Sequence, residues 1–392
     1  MSHPMPRDPL SPRAILTILY SRTINNMSYR IIYPFLPVLA RGLGVTIETA
    51  GQLAAAQGGA GMLAPLFGHL SDRHGRRRIM VLGQWVLCVA SLAVLLTDQF
   101  YLLLFAFAGF GIGKGIYDPA MQGYVGDLVP YAQRGRIVGI TELAWSFAWL
   151  IGVPLAGVLI DRAGWQSPWA LIAALSVVGA VLTQRMLPDA RTAPPAAPPP
   201  RPAPWVALLR QPRVAAALFV SLGLLFALEN VLIVYGAFLE DSYGLATTAI
   251  GMVSVAIGLA ELLAEGGTVF ITDRLGKQRS VLWGLLLFAI SLLLLLPLAG
   301  RLWSALLAFS AVILFFEFAL VSLIAALTEL APQARGRLMS FNIAAMGTGR
   351  LLAPLIGTTL YARTGALTAN VLLSAAVSLL CVLVIGRGLR GM

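Results

Sequence analysis

Span-length apolar stretches recur along the whole chain, and this recurrence constrains the fold more than any other feature. Inside lipid every backbone polar group must be satisfied internally, so a spanning segment is a helix or part of a closed barrel. Runs of roughly 20 apolar residues have helix length for that task. The 392 residues hold about twelve such runs with short connections and leave no room for a large soluble domain. Composition agrees: 58% of residues are hydrophobic and 11% charged, against about 25% charged in ordinary soluble proteins. The expectation is an all-α membrane protein with twelve transmembrane helices in two six-helix bundles. The expected spans are 14–40, 49–70, 79–97, 100–129, 137–160 and 166–187, then 214–239, 247–272, 280–298, 303–330, 338–360 and 366–386.

The distribution of basic residues orients these spans. Of 28 lysines and arginines, twenty fall in the termini, in alternate loops or, as Arg185, at the loop-side end of a span. Four (Arg41, Arg162, Arg301 and Arg363) fall in the opposite loops, and four (Arg22, Arg30, Lys114 and Arg350) lie inside spans. By the positive-inside rule both termini are cytoplasmic. The formal charge of +11 is therefore read as topology and contact with lipid headgroups, not as nucleic-acid binding. Arginine-over-lysine usage and short loops point to a multi-pass protein of a cell membrane, the bacterial inner membrane in particular.

Cys88 and Cys381 both fall in apolar spans, which offers no disulfide framework or metal cluster and suggests small packing residues. The polar, proline-rich segment from Met1 to Arg13 lacks the layout of a cleavable leader, and the first helix is expected to act as the insertion signal.

The chain repeats itself. Asp72, Arg73, Gly75 and Arg76 are echoed by Asp273, Arg274, Gly276 and Lys277 at a shift of 201 positions. Arg134-Gly135-Arg136 and Arg335-Gly336-Arg337 repeat at the same shift, as do Arg162/Gly164 and Arg363/Gly365. Between the halves lies a proline-rich run, Thr192 to Pro204, of a composition that forms a solvated, semi-rigid tether. The expected organisation is a bundle over 1–187, a cytoplasmic linker over 188–213 and a second bundle over 214–392. Two similar bundles with a path between them is how transporters are built.

The segment from Gly68 through Asp72, Arg73, Gly75 and Arg76 to Arg78 resembles the loop 2–3 signature of the major facilitator superfamily, and its echo in the second half strengthens the likeness. Within that family the chain is most similar to small bacterial drug-efflux members, which are proton antiporters. The resemblance implies that Gly68, Asp72, Arg73, Gly75, Arg76, Asp273 and Arg274 form a cytoplasmic latch that closes one side of the molecule. Arg77 is assigned to topology alone. Two departures accompany the likeness. The fifth-helix proline–glycine motif of exporters is present as Gly152, Pro154 and Gly157 with an inserted Val153, and the fourth-helix arginine of the family is replaced by an apolar residue near Phe107.

Ionisable residues within spans are costly and are by default functional candidates. On the first helix Arg22, Asn26, Tyr29, Arg30 and Tyr33 fall on one face, a polar stripe that must meet a cavity or other helices. For Arg22, snorkelling to the interface is an equal reading. Lys114 and Asp118 stand four apart on the fourth helix and can pair, and Pro119 is expected to distort the helix beside them. Glu142, Glu229, Glu317 and Arg350 complete the candidate cavity set, and the resemblance places Arg30, Asp118, Glu229 and Glu317 on the cavity. Glu261 is left open, and Glu265 is expected near the cytoplasmic end, solvated or paired with a loop arginine.

These features point to a secondary transporter working by alternating access, with proton-coupled export of an amphipathic or lipophilic small molecule as the first reading. A lipid or lysolipid flippase, with Arg22 and Arg30 holding an anionic headgroup, is the alternative, followed by a sugar or metabolite carrier. An enzyme is not expected, because His3, His69 and His74 all lie near the cytoplasmic surface. No nucleotide-binding loop is present, so a proton gradient is the expected driving force, with no cofactor and no metal. The expected partners are the small substrate or lipid, protons and membrane lipids, with a monomer as the working unit.

Overall fold

The computed structural model describes residues 10–189, 208–331 and 335–388, with a few side chains inside these ranges excepted. The proline-rich run lies outside them. Among the described residues the chain forms twelve helical rods and no strand. We number them α1 (Pro12–Arg30 continued by Ile32–Leu43), α2 (Ile47–Ala60, then Ala64–His74), α3 (Arg76–Leu96), α4 (Phe100–Leu128), α5 (Tyr131–Phe147, then Val153–Ala163) and α6 (Ser167–Met186). The second half gives α7 (Pro212–Leu232, then Tyr235–Tyr243), α8 (Thr247–Val253, then Val255–Leu275), α9 (Lys277–Leu298), α10 (Leu302–Leu330), α11 (Arg335–Thr364) and α12 (Thr368–Gly388).

Ten of these rods, α3 to α12, are long and apolar enough to cross a membrane. The other two carry the polar and small residues that lower their hydropathy: Arg22, Asn25, Asn26 and Arg30 on α1, and Gln52, Gln57 and several glycines on α2. The outer surface is a belt of large apolar side chains, among them Phe105, Tyr101, Trp303 and Leu307, each more than 70% exposed. Such a continuous apolar exterior is the face of a protein solvated by lipid.

Local sequence fixes the rod ends. Ser11 caps α1 by accepting from the Ala14 N–H at 3.2 Å, and Pro12 follows at the first helical position. Thr46 caps α2 through the Thr49 N–H at 3.3 Å. The turns repeat as the sequence does. Gly75 and Gly276 (φ +90° and +81°) separate α2 from α3 and α8 from α9, and Gly164 and Gly365 (φ +87° and +62°) end α5 and α11. No other residue type adopts such φ values cheaply, so the shift of 201 marks one supersecondary plan used twice.

The two central rods, α1 and α7, are both interrupted near their middles, at Ile31 and at Ile233–Val234. The first helical segment of α7 is buried over most of its length. The two halves meet at the end opposite the termini. There Pro34 of α1 lies against Gly236 of α7 so closely that a Cβ on Gly236 would sit 2.0 Å from the Pro34 carbonyl oxygen. Val153 and Pro154 of α5 pack against Gly251 of α8. At the same end Arg41 of α1 pairs with Glu240 of α7 at 2.7 Å, and Asp161 of α5 accepts from Thr248 of α8 at 2.5 Å through the hydroxyl and 3.0 Å through the backbone.

The fourth-helix expectation is corrected. α4 runs as one helix from Phe100 to Leu128 through Pro119, without a break beside Asp118. The disruption falls instead on α5, where residues Ala148–Gly152 form a single π-helical turn just before Pro154. Such turns widen a helix and re-aim its side chains.

Candidate translocation site

The polar stripe on α1 is buried: Arg22, Asn26, Tyr29, Arg30 and Tyr33 are all at most 7% exposed. Arg22 does not snorkel. Its guanidinium makes a forked pair with Glu142 of α5, Nη1 to Oε1 at 2.8 Å and Nη2 to Oε2 at 3.0 Å, with Nη1 also 3.4 Å from the Thr141 hydroxyl. Asp118 lies 3.7 Å from Arg22 Nε. Lys114 pairs with Asp118 at 2.8 Å across one helical turn, and its ammonium also donates to Asn26 Oδ1 at 2.5 Å. Arg22, Asn26, Lys114, Asp118 and Glu142 thus form one compensated cluster within the first half of the chain, where charge-assisted bonds offset the cost of burial.

A second cluster joins the halves. Arg30 of α1 donates to Glu261 of α8, and Tyr33 of α1 donates to Glu229 of α7. Glu229 also pairs with Arg350 of α11, Oε1 to Nε at 3.3 Å. Ser146 of α5 donates to Glu265 of α8 at 2.9 Å. Between the clusters stands Trp145 of α5. Lys114 Nζ lies 4.2 Å from its ring centroid, Arg30 Cζ 4.6 Å and Arg350 Cζ 5.9 Å. All three distances fall within cation–π range.

Nine of the ten candidate cavity residues are therefore tied into two clusters around Trp145. The tenth, Glu317 of α10, is partly buried and has no hydrogen bond or ion pair among the described residues. Glu261, left open from the sequence, is the partner of Arg30. Glu265 is corrected: it is half-buried and, among the described residues, bonds Ser146 of the opposite half and no loop arginine. Trp145 and Ser146 were missed as site residues. Their signal was present, since they stand three and four residues after Glu142, on its face of α5. Glu229 and its neighbour Asn230 diverge: Asn230 bonds the Asn370 carbonyl and Ser374 of α12 at 3.0 and 2.9 Å and serves packing.

At the terminal end, Arg76 at the start of α3 pairs with Asp127 at the end of α4, Nε to Oδ2 at 3.2 Å, and donates to Ser71 at 2.6 Å. Lys277 at the start of α9 pairs with Glu329 at the end of α10. These are the same contact in the two halves. Asp127 and Glu329 were not singled out from the sequence. Arg73 and Arg274 are exposed, and Gly75 forms the turn described above. The surroundings of Gly68 and the side chains of Asp72 and Asp273 lie outside what the structure describes. Arg77 is corrected: besides any topological role it bonds the Leu187 carbonyl at 3.0 Å and Asp189 at 3.0 Å, fixing the start of α3 to the end of the first half. Phe107, at the place of the family arginine, is fully buried against Phe110 and Trp169.

The model of the Major Facilitator Superfamily matches residues 18–271 and 218–390. The chain belongs to the Major Facilitator Superfamily. It is a multi-pass membrane protein of a transporter family. Among its relatives, an uncharacterized MFS-type transporter of Bacillus subtilis, YceJ, is 24% identical over 340 residues, covering 85% of each chain. The quinolone resistance protein NorA of Staphylococcus aureus is 21% identical over 336 residues, covering 84% of this chain and 85% of its own. The multi-drug resistance efflux pump PmrA homolog of Lactococcus lactis is 28% identical over 161 residues, covering 40% of each. The likeness to superfamily members thus holds along most of the chain, and that to an efflux pump over 40% of it.

Proposed function

We propose that this superfamily member is a proton-coupled exporter of amphipathic or lipophilic small molecules, working by alternating access from the inner membrane with both termini in the cytoplasm. The observation that carries the reading is the set of carboxylates on the second half that reach the first: Glu261 to Arg30, Glu229 to Tyr33, and Glu265 to Ser146. Each joins two halves that must rock apart. Protonating such a carboxylate removes its charge and weakens the tie, so proton binding and bundle movement become one event. The charge count supports this. Six acids (Asp118, Glu142, Glu229, Glu261, Glu265 and Glu317) share the region with four bases (Arg22, Arg30, Lys114 and Arg350). Among the described residues four acids have a cationic partner, Glu265 has only a hydroxyl and Glu317 has neither. An uncompensated acid at this depth is the natural proton carrier.

The shut end opposite the termini is, in this reading, the closed extracytoplasmic gate of one state in the cycle. The likeness to a multi-drug resistance efflux pump supports the direction. The flippase alternative is disfavoured by the occupancy of both arginines it needs: Arg22 is forked to Glu142 and Arg30 bonded to Glu261.

The test is reconstitution in liposomes with an imposed pH gradient, following one lipophilic cation and one labelled lysolipid. Gradient-driven cation movement that is lost in Glu317→Gln supports the proposal. Lysolipid movement without cation movement overturns it in favour of the flippase.

A further inference from the structure

A groove of about 370 Å³ opens on the outer face of the second half, between α8, α9 and α10, and is separate from the charged site. Its walls are Leu263, Gly267 and Leu275 of α8, Trp283 and Leu287 of α9, and Phe315 and Phe318 of α10, with Ala264 and Leu314 completing it. Among the described residues no lining side chain is charged. Leu263, Leu275 and Trp283 are 68%, 42% and 53% exposed, so the groove is open to the surroundings of an outward lipid-facing surface. A cleft of this size is large enough to hold a ligand chain, and its chemistry admits only an apolar one.

Two arginines stand at the terminal end of the groove. Arg274 is seven residues beyond Gly267 on α8, which places it within about 20° of the same helix face. Arg279 is four residues before Trp283 on α9, which makes the two neighbours on one face. Both arginines are exposed, and neither has a hydrogen bond or ion pair among the described residues. Nearby Lys277, by contrast, is taken up by Glu329. An apolar groove that ends at two exposed guanidiniums, without a partner among the described residues, has the polarity of one ligand class: an acyl chain with an anionic head.

We propose that this groove binds an anionic phospholipid of the leaflet at the terminal end, one acyl chain lying between α8 and α10 and the phosphate held by Arg274 and Arg279. Arginine suits the task because its planar fork meets phosphate oxygens in pairs. The inference does not depend on the transported substrate, only on the protein residing in a bilayer.

Trp283 lines the groove and supplies the readout. The full-length protein is reconstituted in phosphatidylcholine containing a small mole fraction of phosphatidylglycerol brominated in its acyl chains, and tryptophan quenching is measured. The control carries the same fraction of brominated phosphatidylcholine. Each interfacial arginine favours an anionic lipid by a few-fold, so the pair predicts roughly tenfold enrichment of the brominated phosphatidylglycerol at Trp283 over the control. The excess quenching should disappear in Trp283→Phe, which locates it. It should also disappear in the Arg274→Gln/Arg279→Gln double variant and persist when both arginines are replaced by lysine. Gly267→Phe should remove it without touching a charge, because a side chain at Gly267 meets nothing within 4 Å and fills the groove. Equal quenching by the two brominated lipids overturns the proposal. So does an excess that survives in Trp283→Phe or in the arginine-to-glutamine variant.

Discussion

Arg30 and Glu261 stand on opposite halves of the molecule and form a buried ion pair, with the Arg30 guanidinium also 4.6 Å from the Trp145 ring centroid. The pair couples two requirements. It lets a charge stay at mid-depth in a largely apolar protein, and it ties together two bundles that a transporter must separate.

Breaking this pair should cost more than removing it. Glu261→Ala leaves Arg30 buried without its carboxylate, and the loss of one partner of a buried pair is typically about 3–5 kcal/mol. Replacing both, in Arg30→Leu/Glu261→Leu, should recover much of that. Thermal unfolding of the parent, Arg30→Leu, Glu261→Leu and the double variant in one detergent, arranged as a double-mutant cycle, measures the coupling. Single variants within about 0.5 kcal/mol of the parent would mean that the pair carries no stability.

Glu317→Gln should behave in the opposite way. Glu317 makes no hydrogen bond or ion pair among the described residues, so the neutral isostere should change stability by less than about 0.5 kcal/mol. Gradient-driven transport should nevertheless fall by an order of magnitude or more, as expected when a proton carrier can no longer titrate. Unfolding temperature and transport rate, measured on the same preparation, separate the two effects. A variant that loses both together would assign Glu317 a structural role.

Gly236→Val should open the end opposite the termini. A Cβ there would meet the Pro34 carbonyl oxygen at 2.0 Å, and backbone cannot move aside cheaply. The measurement is the labelling rate of Thr248→Cys by a membrane-impermeant maleimide. The native thiols Cys88 and Cys381 are both buried and contribute little background. The rate should rise when Gly236→Val is added; an unchanged rate would show that the two halves close by some other contact.

The paired contacts at the terminal end should matter little to stability. The carboxylates of Asp127 and Glu329 are 41% and 55% exposed, and exposed ion pairs are worth about 0–1 kcal/mol. Asp127→Asn and Glu329→Gln should each shift the unfolding temperature slightly, and the shift should shrink further in high salt. A salt-independent loss above about 2 kcal/mol would contradict a surface role.

Much of the architecture was legible in the chain because it rests on local signals. Hydropathy marks ten of the twelve rods, Gly75 and Gly276 set matching turns, and the shift of 201 positions announces two copies of one plan. The stripe from Arg22 to Tyr33 was likewise legible, since its face follows from 3.6 residues per turn alone. The pairing within the site was less so. Lys114 and Asp118 could be matched because they share one helix. Pro119 misled, because a proline inside a long buried helix is tolerated where neighbouring helices hold it.

What the sequence by itself determined is a twofold helical membrane protein that places charged residues at mid-depth. What only the tertiary structure decided is which charges meet. Glu261 and Glu265 stand one turn apart and suggest a mutually repelling pair, yet their partners lie 231 and 119 residues away, on α1 and α5. Glu229 and Asn230 are adjacent in the chain, yet about 100° of helical rotation sends one to the site and the other into packing against α12. Spacing along a helix fixes the direction of a side chain relative to its own axis. Which helix stands opposite, and at what rotation, is fixed only when the two halves pack.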